Sequence, residues 1–194
     1  MLICLTGETA VGKTVVEKEL GKMGLHRALS YTTRPKRSNE TNYDDYIFID
    51  NKTFDEMYER GLLYEKTSYV VNGELWQYGL GSESFDAEKV NVVTVNPHGL
   101  KQLVQKKDFP FEIKVVYLLA DLEERKRRYL ERETSEKKHQ NLIQRIARDE
   151  KDFILDDGVW GSGSKSIFEI RNEKRSIEET AKEILRLVVS TKED

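Results

Sequence analysis

The chain opens on a short apolar run, Leu2–Thr6 (LICLT), that stops at Gly7. A run without polar alternation reads as a strand covered on both faces, the setting at the centre of a parallel sheet. Val90–Val95 (VNVVTV) and Ile113–Ala120 (IKVVYLLA) have the same character, and Ile167–Ile170 is a fourth candidate. The polar-rich stretches around them predict helices over Lys13–Met23, His98–Lys106, Leu122–Arg132, His139–Phe153 and Ile177–Val189. Gly24 stops the first, and Ser176 with Glu179 forms a capping box at the start of the last. Strands that alternate with helices imply right-handed crossovers and a parallel sheet flanked by helices.

Residues 31–81 break this rhythm. They are rich in tyrosine, arginine and turn formers. Asp45–Asp50 (DYIFID) alternates like an exposed strand. Thr53 and Glu56 suit the start of a short helix to Arg60, stopped by Gly61. Asn72-Gly73 is a hairpin turn, because both residues tolerate positive φ. The segment reads as a small mixed α/β insertion on the parallel core.

Composition narrows the function classes. The 194 residues carry 32 Lys+Arg against 35 Asp+Glu, a net charge of −3. That balance argues against a protein that coats nucleic acid. No apolar run approaches the ~20 residues of a membrane helix. The first residues lack the basic and apolar regions of a secretory leader. One cysteine, Cys4, makes neither an internal disulfide nor a metal cluster. The chain reads as cytoplasmic. The charge-dense stretch Glu123–Lys138 mixes both signs, as a solvated helix and loop does.

The chemistry-bearing motif is Gly7-Glu8-Thr9-Ala10-Val11-Gly12-Lys13-Thr14. It matches G-x-x-x-x-G-K-[ST] between an apolar strand and a helix. The glycines let successive N–H groups curl inward, and with the helix N-terminus they make a cup for phosphate. Lys13 is expected on the β- and γ-phosphates of a nucleoside triphosphate, and the Thr14 hydroxyl on Mg²⁺. Further on, Ser30-Tyr31-Thr32-Thr33-Arg34-Pro35-Lys36-Arg37 sets two guanidinium groups beside a run of hydroxyls. They suit a second phosphate or an ordinary basic loop equally well.

That segment, read as S-x-T-T-R-x-x-R-x-x-E and followed by Asp45-Tyr46-Ile47-Phe48, resembles the guanylate kinase family over essentially the whole chain. The resemblance implies a P-loop NTPase-like α/β fold. Its core is residues 1–30, 82–120 and 151–194, with a monophosphate-binding insertion at 31–81 and a helical lid at 121–150. It implies that Arg34, Arg37, Tyr46 and Tyr78 hold the acceptor phosphate, while Ser30 and Glu65 contact guanine. Guanine presents N1–H and N2–H side by side, and a carboxylate accepts both. Arg128, Arg132 and Arg145 match the lid arginines, and Asn172 matches an asparagine near the adenine of ATP.

Two positions depart from the family pattern. Leu80 stands where a serine or threonine usually follows Tyr-Gly, so a hydroxyl contact to the base is lost. Asn96, in Thr94-Val95-Asn96-Pro97-His98-Gly99, replaces an aspartate near the base. His98 reads as a helix-start residue, since no cysteine or second histidine nearby supports a metal site. The expected reaction is ATP- and Mg²⁺-dependent phosphoryl transfer to GMP or dGMP. The chain would act as a monomer or homodimer without nucleic acid or membrane. Another nucleoside monophosphate or a sugar phosphate is the alternative acceptor. A non-catalytic module that binds phosphorylated protein segments is the third reading, against which the intact Gly12-Lys13-Thr14 argues.

Overall fold

Alternation inside the first strand, β1 (Leu2–Thr6), sets the layers. In a computed structural model, which describes residues 1–37, 40–71, 73–133, 136–153 and 167–190, every β1 residue is buried. Ile3 and Leu5 face a cluster with Val16 and Leu20 of α1 (Lys13–Lys22) and Ala181, Ile184 and Val188 of α6 (Ile177–Ser190). Leu2 and Cys4 face the other cluster, with Leu100 and Leu103 of α3 (Pro97–Gln105). A strand with period-two side chains and no polar face needs cover on both sides, and this one has it.

Five strands run parallel in the order β2 (His26–Arg27), β7 (Asn91–Thr94), β1, β8 (Ile113–Leu119), β9 (Ile167–Arg171). A second, four-stranded sheet has the order β4 (Ile47–Phe48), β3 (Tyr31–Thr32), β6 (Glu74–Gly81), β5 (Leu63–Val71). It is mixed: β3 and β4 are parallel, while β6 is antiparallel to both β3 and β5. Under it, α2 (Asn51–Glu59) packs Phe54 against Tyr31 and Leu63.

The remaining helices are α4 (Leu122–Arg132) and α5 (Lys138–Asp152). The capping box forms: Ser176 N–H donates to Glu179 and Glu179 N–H to Ser176 Oγ. Of the lid and core ranges expected above, residues 134–135, 154–166 and 191–194 lie outside the described residues. So does Asn72 of the expected hairpin turn. Gly73 adopts φ +82°, and Val71 pairs with Glu74 across the two-residue loop.

Three local expectations change. The DYIFID segment keeps only Ile47–Phe48 as strand, because Asp44 and Asp45 turn to Lys18 and Asp50 turns to cap α2. The α2 cap is Asp50, whose carboxylate accepts Thr53 N–H at 2.7 Å, so Thr53 is the donor and not the cap. The stretch Glu123–Lys138 is not solvated throughout: Arg125 and Tyr129 are buried inside it.

Candidate active site

The Gly7–Thr14 loop is shaped by backbone constraint and by side chains distant in sequence. Gly7 and Gly12 have φ of +146° and +106°. A Cβ on Gly7 would lie 2.5 Å from Leu118 O, and one on Gly12 would lie 2.4 Å from Asn172 Nδ2. Both positions therefore need glycine for conformation and for space. Val11 O accepts from Asn172 Nδ2 at 2.8 Å and from Arg128 Nη1 at 3.1 Å. Arg128 also reaches Asn172 O and Glu124. Thr180 Oγ1 donates to Asn172 Oδ1, so the buried Asn172 amide joins α6 to the loop. This is where the expected adenine contact lies: inside the protein, supporting the loop.

On the opposite flank, Asp149 of α5 is buried and accepts Thr9 N–H at 2.7 Å and Thr9 Oγ1 at 3.1 Å. Arg125 stands beside it, 3.6 Å from Asp149 and 3.0 Å from Glu8. Lys13 Nζ donates to Gly7 O and Glu8 O. Burial lowers its pKa to about 8; Asp149 opposes the shift, and Arg132 and Arg125 add to it. An ammonium held this low gains most from an arriving polyanion. Thr14 is the second residue of α1 and is half-buried, and its hydroxyl has no partner among the described residues. Among the same residues no cluster of three or more His, Cys, Asp or Glu forms a cage for a metal. One hydroxyl next to a phosphate site fits Mg²⁺, which is commonly held by one or two protein groups plus substrate phosphates.

The facing wall comes from the second sheet and α3. Glu65, in β5, is buried. Burial pushes its carboxyl up to about 8, against smaller pulls from the Thr67 hydroxyl and the Leu80 N–H. Asn96 caps α3 by accepting Gly99 N–H at 2.8 Å. Gly99 leaves room for Glu65, since a Cβ there would lie 2.7 Å from Glu65 Oε2. The Leu80 side chain is fully buried in the core cluster of α3 and brings no hydroxyl to the site; only its backbone N–H reaches Glu65. Tyr46 and Tyr78 meet edge to face at 6.1 Å, and burial raises the Tyr46 hydroxyl to about 12.

Arg34 is buried and gives both ends of its fork to Glu40, at 2.6 and 2.5 Å. It also lies over the Tyr46 and Phe48 rings at 5.0 and 5.3 Å. Arg37 bonds Glu40 through Nη1 and its backbone N–H. Arg132 and Arg145 lie over the Tyr129 ring, each at 5.7 Å, with no carboxylate partner among the described residues. Burial, with Arg37 and Arg145 nearby, holds the Arg132 guanidinium below its usual range. Glu133 beside them offsets part of this charge, and three guanidinium groups gathered there suit an anion.

One cavity of about 190 Å³ joins the two walls. Gly7, Thr9 and Lys13 line one side, and Ser30, Tyr46, Glu65, Tyr78 and Asn96 the other, with Arg145 at the edge. Arg34 and Arg37 line an adjoining cavity of about 240 Å³, which shares Trp76, Arg145 and Arg148 with the first.

A family model described as guanylate kinase matches residues 1–160. The chain belongs to the guanylate kinase family. It is 30% identical to a guanylate kinase of Prochlorococcus marinus (strain MIT 9312), over 96% of each chain. It is 28% identical to one of Mycoplasmopsis pulmonis (strain UAB CTIP), over 97% of this chain and 93% of the relative. The fold is also that of a solved guanylate kinase from Anaplasma phagocytophilum: TM-score 0.64 at 18% identity, over 100% of this chain and 87% of that one. As a member of the guanylate kinase family, the protein is a phosphotransferase of the kinase class. No helix among its described residues is long and apolar enough to cross a membrane.

In this guanylate kinase family member, several site residues escaped the motif reading. Arg148, Asp149 and Asp152 line the cavity beside Arg145. Their spacing of 3, 4 and 7 from Arg145 is the signature of one helix face, and it was available in the sequence. His98, read as a helix-start residue, is the second residue of α3, and its ring lies 3.2 Å from Asp152 of α5. Tyr69 and Trp76 also line the cavity. They carried no motif, and only strand pairing brings them there.

Proposed function

We propose that the protein transfers the γ-phosphoryl group of ATP to the phosphate of a nucleoside monophosphate, GMP or dGMP. The observation that carries this reading is the single cavity with the glycine loop on one wall and Glu65 with Asn96 on the other. The Gly7, Glu8, Thr9, Ala10, Val11 and Gly12 backbone cradles the donor phosphates, and Lys13 neutralises them. The Thr14 hydroxyl would hold Mg²⁺, which would supply charge neutralisation at the donor phosphates. An oxygen of the acceptor phosphate attacks the γ-phosphorus as the bond to the β-phosphate oxygen breaks. That oxygen is already anionic near neutral pH, so no general base is needed and catalysis is positioning plus electrostatics.

Arg34, Arg37, Tyr46 and Tyr78 hold the acceptor phosphate; Glu40 keeps the two arginines in place between turnovers. Ser30, Glu65 and Asn96 face the base. Arg132 and Arg145 cover the transferring group from the lid. Arg128 and Asn172 act one step back, through Val11 O. The insertion at 31–81 and the lid at 121–150 close on the core to exclude water, which would otherwise take the phosphoryl group. The setting is cytoplasmic, where ATP and monophosphates are available. ADP release from Mg-ATP with a panel of nucleoside monophosphates tests the reading. Turnover with GMP is expected, and no turnover with any monophosphate would end it.

A further inference from the structure

The helix cap fixes which end of the Asn96 amide faces the cavity. Its one oxygen accepts Gly99 N–H at 2.8 Å and lies 3.4 Å from Thr67 Oγ1. The NH₂ end is the one left for the cavity that Asn96 lines, and it has no partner among the described residues. Turning the amide over would set N–H donors against the Gly99 N–H and lose the cap, so this orientation is locked. An aspartate here would cap with one oxygen and offer the other to the cavity as an acceptor. Asparagine caps equally well and offers a donor instead. The base wall therefore presents one carboxyl, Glu65, and one amide donor.

A donor at this place takes a carbonyl or ring nitrogen of the base and gives nothing to an exocyclic amino hydrogen. The carboxylate takes a ring N–H, which 6-oxopurines have at N1 and adenine lacks. We propose that the acceptor class is the 6-oxopurine nucleoside monophosphates with or without a 2-amino group, so that hypoxanthine nucleotides are substrates beside guanine nucleotides. This rests on the acceptor-site reading above. Asn96 is thereby a specificity-determining residue: of the groups that face the base, Glu65 and the Ser30 hydroxyl are left to accept from the 2-amino group.

The test compares kcat/KM for GMP, IMP and AMP with Mg-ATP, in the native protein and in Asn96→Asp. Aspartate and asparagine rank together as N-caps, so the variant keeps α3. The native preference for GMP over IMP is expected to be on the order of 10–100-fold, the loss of one charged hydrogen bond. Above about pH 8, where Glu65 is ionised, AMP is expected to fall at least about 1,000-fold below GMP, because its N1 would face the carboxylate without a proton. In Asn96→Asp the GMP:IMP ratio is expected to rise at least about fivefold, as a 2-amino hydrogen gains an acceptor. A role confined to capping would leave that ratio unchanged. GMP turnover with inert IMP, an unchanged ratio in the variant, or AMP turnover equal to that of IMP would each overturn the inference and leave the kinase reading standing. Inactivity with all three acceptors would remove both.

Discussion

The glycine loop and the base wall face each other across one cavity, but they are built differently. The loop is backbone, set by two positive-φ glycines and held by Asn172, Arg128 and Asp149 from three distant helices and strand ends. The base wall is side-chain chemistry: a carboxyl buried on a strand next to a helix cap. Burial moves both key pKa values toward about 8, with opposite consequences. Lys13 loses its charge as pH rises past that point, whereas Glu65 gains its charge. Near that pH each group is partly discharged in the empty protein, and on the function proposed above each substrate would restore the charge that binds it.

The strongest way to break the comparison is Lys13→Ala. Turnover is expected to fall by about 1,000-fold or more, with the melting temperature close to native, since the ammonium neutralises charge that the fold itself does not need. Steady-state rates and a thermal melt check this, and near-native turnover would remove Lys13 from the mechanism. Next comes Glu65→Gln. One oxygen and one NH₂ replace two acceptors, so kcat/KM for GMP is expected to fall about 100-fold while the KM for ATP stays near native.

The same variant sharpens the pH contrast. In the native protein the Glu65 proton must leave before the base binds, so the KM for GMP is expected to fall by up to about tenfold per pH unit from 6.5 toward 8, then level. In Glu65→Gln that slope disappears; a slope that persists would place the titration elsewhere. The sign for stability is the reverse. The native fold binds the Glu65 proton between the ordinary carboxyl value of 4.5 and about 8, so this group's contribution to stability is lost as pH rises through that window.

Asp149→Ala probes the support of the loop. It removes both bonds to Thr9 and leaves the buried Arg125 with Glu8 alone. A loss of about 2 kcal/mol in stability is expected, with a several-fold change in the KM for ATP and little in that for GMP. Equal effects on both substrates would show that Asp149 serves the whole cleft. The smallest effect is expected far from both walls. Ser176→Ala removes one side of the α6 capping box and costs about 1 kcal/mol in a denaturant titration, with native kinetics.

Much of this molecule was readable from residue order because the signals are local. The Gly7–Thr14 spacing, the apolar strands and the Ser176–Glu179 box each involve residues within about eight positions. The end points of α4 follow from its pattern. Short strands were not readable in the same way: β2 and β3 are two residues each, too short for any period to show. Asp50 competes with Thr53 for one cap, and only the path of the chain gives it to Asp50.

What the sequence alone determined is the shape of the glycine loop. A glycine loop between a buried strand and a helix carries its own geometry, because conformational freedom and backbone donors are properties of the local chain. Tertiary structure decided the rest: that Glu65 is buried and not an exposed charge, that the Asn96 oxygen belongs to a helix cap, and that Asp149 reaches Thr9 across 140 positions. Burial and the orientation of an amide depend on what packs around them, and those neighbours come from strands and helices that no spacing rule connects.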